Sequence, residues 1–174
     1  MNVDAAVLQL QLQFEDLLTW VRSAPGADLQ VVLSLPVGAG ALARDVLRHV
    51  PPHPLEIEQA IEVVEDAVMP LRAQLPASLQ LVCADPLLRG LAAAALGGRG
   101  ESVTDELNVA ELPSAPIWWD VEAVEQVFNR LVARSEGRPA AQDNLSVDGA
   151  SAARLVIVRE MLHHWGLNGL LLSV

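Results

Sequence analysis

The chain contains no lysine. All 11 of its basic residues are arginines, a bias that we read as a property of its source rather than of its chemistry. Against them stand 22 carboxylates, for a formal charge of −11. So acidic a chain opposes nucleic acid, polyphosphate and anionic membranes, because each phosphate contact calls for a Lys or Arg. A soluble acidic surface with no bearing on partners is the plainer explanation of the charge and the preferred one. There is one cysteine, Cys83, so no intramolecular disulfide can form, and a reducing, cytoplasmic setting is expected. No window reaches the roughly 18 uninterrupted apolar residues of a membrane span. Met1-Asn2-Val3-Asp4 lacks the basic flank of a secretory signal. Several catalytic signatures are missing too. No serine sits in a Gly-x-Ser-x-Gly turn, and no cysteine or histidine pairs have zinc spacing. Gly97-Gly98-Arg99-Gly100 follows a helical pattern rather than a strand and lacks the Lys-Ser/Thr of a P-loop, so it reads as a linker. No cofactor and no metal are expected.

What is present is core. Apolar residues make up 52% of the 174, which suits one domain over residues 1–174. The chain is organised around Val7 to Leu17. Leu8, Leu10, Leu12 and Phe14 alternate with Gln9, Gln11 and Gln13, as on a strand with one wet face. Val7, Leu10, Phe14, Leu17 and Val21 also fit a helical stripe. The next segment favours the strand. Ser23-Ala24-Pro25-Gly26-Ala27-Asp28 is turn chemistry, and Leu29 to Pro36 is an apolar, β-branched run. An antiparallel meander of two or three strands is the expectation.

Further along, a short helix is expected around Ala41 to Val50, ended by Pro51-Pro52-His53-Pro54. A long helix follows over Leu55 to Leu71, with Ile57, Ile61, Val64 and Val68 inward and Glu58, Glu62, Glu65 and Asp66 outward. Leu79 to Ala84 reads as a buried strand and Pro86 to Leu96 as a small-residue helix. Glu101 to Ala115 has a weak pattern and reads as an irregular connection. Pro116 to Trp119 reads as an edge strand, and Asp120 as the N-cap of a helix from Val121 to about Arg134. After a polar loop, a buried helix from Asp148 to Trp165 and a strand from Leu170 close the chain. The order implies α/β layering around one mixed sheet.

Those joints resemble the second, ribonuclease-H-like (actin/hexokinase-type) domain of the exopolyphosphatase/guanosine pentaphosphate phosphohydrolase (Ppx/GppA) family. Ser34-Leu35-Pro36-Val37-Gly38-Ala39 resembles the family's Ser-Leu-Pro-Leu-Gly-Ala. Leu81 to Pro86 sits where the family has a strand and a Gly-Gly-Thr turn, and Ala153 to Ser173 resembles its closing helix and strand. The resemblance implies an α/β ribonuclease-H-like single domain, its N-terminal antiparallel meander extended by further strands with flanking helices.

The resemblance also marks losses. The family's phosphate loop, Asp-Ile-Gly-Gly-Gly-Ser-Thr-Glu, laid without gaps falls on Gln9 to Asp16. Gln9 then stands for the aspartate, and Gln11, Leu12 and Gln13 for glycines whose bare backbone would close on phosphate. Phe14 replaces the hydroxyl, and Asp16 keeps a carboxylate. Asp85 puts a charge in the second, normally neutral turn. The family's first domain, which carries the catalytic glutamate and the other cleft wall, has no counterpart in these residues. Nor has the Gly-Leu-Arg-Glu-Gly segment that would follow Val174.

Other clusters have plain readings beside sharper ones. His163 and His164 are adjacent, so on a helix they point about 100° apart and one metal cannot easily use both; a helix C-terminus that favours positive charge explains them. The Glu58, Glu62, Glu65 and Asp66 row is a solvated face, or a weak cation bridge. His49 and His53 could pair with a carboxylate, and Cys83 reads as an inert core thiol. Trp118 and Trp119 point to opposite faces of a strand, so one could anchor an interface. The expectation is a catalytically lapsed domain acting through a protein partner or self-association, without nucleic acid or membrane. The alternative is a phosphohydrolase, or a nucleotide- or polyphosphate-binding protein, completed by a partner chain.

Overall fold

The computed structural model describes residues 7–96 and 114–174. The first segment is a strand. In β1 (Leu8–Phe14) Leu10 and Leu12 are buried while Gln9, Gln11 and Gln13 are exposed, so the alternation prevails over the helical reading. It pairs antiparallel with β2 (Thr19–Ser23), which pairs antiparallel with β3 (Val32–Leu35). This is the expected meander, with its third strand shorter than the apolar run. β4 (Leu79–Cys83) runs parallel to β1, and β6 (Gly169–Leu172) parallel to β4. β5 (Ile117–Asp120) closes the edge antiparallel to β6. The order across the six strands is β3-β2-β1-β4-β6-β5.

The helices are α1 (Ala39–Ala41), α2 (Pro54–Val68), α3 (Pro86–Leu96), α4 (Val121–Ser135) and α5 (Gly149–Trp165). Two expected helices are shorter than the sequence pattern implies. The first has one turn of α1, which widens into a π-type turn over Leu42–Val46. α2 stops at Val68 and tightens into a 3₁₀ stretch, Met69–Gln74, because Pro70 cannot donate the next helical bond. α3, α4 and α5 match their expected spans. Asp120 accepts the Ala123 N–H at 2.8 Å and Asp148 the Ser151 N–H at 2.9 Å, and Gly166 ends α5 at φ +66°. The Met1 to Asp4, Gly97 to Gly100 and Glu101 to Ala115 readings lie outside the described residues, save for the last two positions.

One core sits on one side of the sheet. Leu10, Leu12, Val21, Leu35, Leu81, Cys83, Trp119, Leu170 and Leu172 meet Val64, Leu88, Val124, Leu131, Val156 and Met161 from the helices. α5 is buried on nearly every side, which is why its sequence shows no apolar stripe but is apolar all round. Among the described residues no helix covers the other face of the sheet, and none is long and apolar enough to cross a membrane.

The start of α2 carries a buried charge that the wet-face pattern does not reveal. Glu56, with its side chain 8% exposed, accepts the His53 N–H at 3.0 Å and lies 2.7 Å from His49 Nδ1, so the ring of His49 pairs with the carboxylate and His53 contributes its backbone. Burial pushes this carboxyl up, but the hydrogen bonds from His53 and His49 prevail and lower it from 4.5 to about 2. A depressed carboxyl stabilises the fold above its unfolded value and loses that contribution as pH falls through the folded one. Stability should therefore drop between about pH 4.5 and pH 2. Glu56→Gln should cost about 2 kcal/mol at pH 7 and flatten this acid limb, as urea titrations across pH would report.

Candidate functional site

In an open α/β sheet, ligands bind outside the carboxyl ends of the parallel strands. Here that crevice lies beyond Phe14, Cys83 and Leu172. Its first wall is the connection Glu15 to Leu18. The ladder between β1 and β2 continues to the Phe14–Thr19 pair, so Gln9, Gln11, Leu12, Gln13 and Phe14 belong to a strand. Only Asp16 lies in the turn. The residues onto which the phosphate loop was laid, Gln9 to Asp16, are thus divided between β1 and the turn that follows Phe14. Gln9 Nε2 instead bonds Gln80 Oε1 at 3.0 Å on the uncovered face.

The turn itself is pinned. Asp16 C=O accepts the Ala41 N–H at 2.8 Å, its carboxylate lies 3.0 Å from Arg44, and Thr19 Oγ1 donates to Val37 C=O at 2.7 Å. Gly38 is part of this contact, for a Cβ there would fall 2.1 Å from Asp16 C=O.

The second wall is Asp85, at the turn from β4 into α3. Its Oδ1 accepts the N–H groups of Leu87 and Leu88, each at 3.0 Å, and its Oδ2 lies 2.7 Å from Arg154 Nε. Arg154 also donates to Ala150 C=O at 3.0 Å, and its guanidinium carbon sits 5.5 Å from the centre of the Phe14 ring. The structure so brings Phe14, Asp85 and Arg154 together. The carboxylate expected to repel phosphate is already matched by a cation. Arg154 was legible only as part of a helix, because its partner lies 69 residues away. A second guanidinium, Arg89, is buried and donates to Leu172, Ser173 and Ala115 carbonyls at 3.0, 2.9 and 3.2 Å.

Chemically, this leaves little for an oligophosphate. The α3 N-terminus would suit an anion, but Asp85 occupies it. Among the described residues, the crevice guanidiniums of Arg44, Arg89 and Arg154 are all engaged. Cys83 is buried at the end of β4, and burial pushes its thiol up to about 12, in keeping with an inert core group.

On the other side of the molecule, Trp119 is buried at 2% exposure and Trp118 is 48% exposed, the division of faces expected of a strand. Trp118 lies over Gly169, where a Cβ would come within 2.9 Å of its ring. It shares the uncovered face with Gln9, Gln11, Gln13, Gln80 and Leu171, and with Trp20, whose ring carries the Arg22 guanidinium at 4.1 Å. A hollow of about 230 Å³ beside Trp118 is lined by Val7, Leu79, Leu167 and Asn168. His163 is exposed, whereas His164 turns toward α2 and Glu65. Of the acidic row, Glu58, Glu62 and Asp66 face solvent.

No protein-family model matches the chain, and no curated protein matches it in sequence. Solved structures do match. A Ppx/GppA phosphatase from Aquifex aeolicus superposes with a TM-score of 0.70 at 14% identity, over 98% of this chain and 54% of that one. An exopolyphosphatase from Cytophaga hutchinsonii gives 0.65 at 13% identity, over 97% and 53%. An exopolyphosphatase-like protein gives 0.61 at 15%, over 99% and 58%. This chain thus spans about half the length of the structures it matches. Its mixed six-stranded sheet and flanking helices have the α/β, ribonuclease-H-like fold of one such half of a Ppx/GppA phosphatase.

Proposed function

We propose that the chain is a non-catalytic counterpart of the second Ppx/GppA domain that acts by contact with another protein chain, a second copy of itself included. One observation carries this reading: the α3 N-terminus at the crevice is filled by Asp85, whose charge is matched by Arg154 beneath the Phe14 ring. The uncovered sheet face supports the contact. Among the described residues no helix packs on the face that carries Val82, Leu171 and Trp118, and Trp118 is 48% exposed there. The unpaired, buried Cys83 supports a cytoplasmic setting.

With Mg²⁺ and polyphosphate or guanosine pentaphosphate, orthophosphate release should stay at background. The melting temperature should not move with ADP, guanosine nucleotides or polyphosphate. A ligand at 100 times its Kd would add about 2.7 kcal/mol, or roughly 5–10 °C for a chain of this size. Turnover by the chain alone would overturn the proposal, and turnover only after addition of a second chain would favour the partner-completed phosphohydrolase instead. Light scattering after size exclusion should show a dimer or a captured partner that Trp118→Ser abolishes. A chain that stays monomeric, and whose partner binding is indifferent to Trp118→Ser, would reject the contact surface.

A further inference from the structure

We propose that Glu65, Glu160 and His164 form a site for a first-row divalent metal ion, zinc foremost, that joins α2 to α5. Glu160 and His164 are four apart on α5, so they share a face, and Glu65 projects toward them from α2. His164 Nε2 lies 3.1 Å from Glu65 Oε1 and 3.4 Å from Glu160 Oε2, and all three donor atoms lie within 4.8 Å of one another. A tetrahedral zinc ion with bonds of about 2.0–2.2 Å holds its ligand atoms about 3.3–3.6 Å apart. Two of the three spacings are already near that value, and only the gap between the carboxylates has to close.

An ion pair alone satisfies this cluster poorly. Nε2 carries at most one hydrogen, which cannot point straight at oxygens on two different helices. The two carboxylates meanwhile converge on one imidazole edge. An ion at their centre would engage all three groups at once. Glu160 is 1% exposed, and its other oxygen is bound by Arg159. Arg159 is itself set by Glu125 at 2.9 Å and by the Phe128 ring at 4.3 Å, so the buried ligand is held by an outer shell of the kind metal sites use. Here α5 ends and α2 tightens into its 3₁₀ stretch. Trp165 Nε1 donates to Val68 C=O at 3.1 Å, and the negative end of the α5 dipole, beside His164, favours a cation. Glu65 is 40% exposed, which leaves a path for the ion and a position for water. One imidazole with two carboxylates suits zinc or cobalt better than magnesium, which prefers oxygen in an octahedron.

Untagged protein freed of metal by chelator should bind one zinc ion by calorimetry, and its melting temperature should rise on addition of zinc. Cobalt should give the visible bands of a four- or five-coordinate site. Glu65→Gln, at a partly exposed position, should keep the metal-free fold and weaken zinc binding about tenfold or more. His163→Ala, which alters the outward neighbour, should leave it unchanged. No zinc binding, binding that survives both Glu65→Gln and His164→Gln, loss of binding in His163→Ala, or magnesium bound as tightly as zinc would each overturn the proposal. The crevice near Asp85 takes no part in this test.

Discussion

Asp85→Ala is expected to lower the stability of the domain by about 3 kcal/mol, combining the loss of a buried charge partner with the loss of a helix cap. The two parts can be separated. The carboxylate holds the N–H groups of Leu87 and Leu88, a cap of the kind worth about 1 kcal/mol. Its other oxygen faces Arg154 at 2.7 Å, with the two side chains 14% and 20% exposed. Breaking a fully buried pair costs roughly 3–5 kcal/mol; partial solvation reduces that here to about 2 kcal/mol. Asparagine caps nearly as well as aspartate, so Asp85→Asn should cost about 2 kcal/mol where alanine costs about 3. In thermal melts of a chain this size the alanine variant should fall by roughly 6–12 °C. A shift of under about 1 °C in both variants would mean that the crevice is not held by this pair, and the proposal of a structurally filled site would lose its basis.

How much of this was legible depends on how far apart the partners lie. The strict Leu–Gln alternation found β1, although Leu10, Phe14 and Leu17 also fit a helix; Leu17 is in fact 63% exposed, in the turn. Pro86 and the cap Asp120 placed two helices because a start signal is local; Asp148, read as the first residue of the last helix, is its cap. The tightening of α2 at Met69 was signalled by Pro70 but not its form. The buried Val127 on α4 was missed because the helical stripe was already satisfied by Val124, Phe128, Leu131 and Val132, the four residues that the pattern turns inward. Two kinds of information were absent from any local window. One is register: the pairing of Phe14 with Thr19 decides where the strand ends, and a gapless placement of a motif cannot see it. The other is contact between elements far apart in the chain. Asp85 with Arg154, and Glu65 with His164, are separated by 69 and 99 residues, so each was read alone, as a stray charge, a wet face or a helix end. The pattern of elements supplied the layer order and the resemblance to one half of a Ppx/GppA chain the fold, whereas the site depends on side-chain positions.

Gly38→Ala should destabilise the domain by about 3 kcal/mol or more, through strain of the kind that places a mutation in the severe tail. No left-handed backbone is involved, since φ at Gly38 is −110°. The cause is proximity. A Cβ at Gly38 would lie 2.1 Å from Asp16 C=O, 2.4 Å from its carbonyl carbon and 2.5 Å from the Leu17 carbonyl carbon. All three atoms are backbone, so no rotamer can relieve the clash. Either the turn lifts, and the Ala41 N–H to Asp16 and Thr19 to Val37 bonds break with it, or α1 moves away from the sheet. Gly40 offers the control. Its Cβ would meet chiefly Asp16 Oδ1, at 2.1 Å, with Asp16 Cα next at 3.0 Å, and a side chain can swing aside at the expense of an exposed pair with Arg44, which contributes little. Chemical denaturation of the two alanine variants side by side should rank Gly38 well above Gly40. Equal losses would indicate that the turn is free to move, and a turn free to move could open the crevice that Asp85 and Phe14 otherwise close.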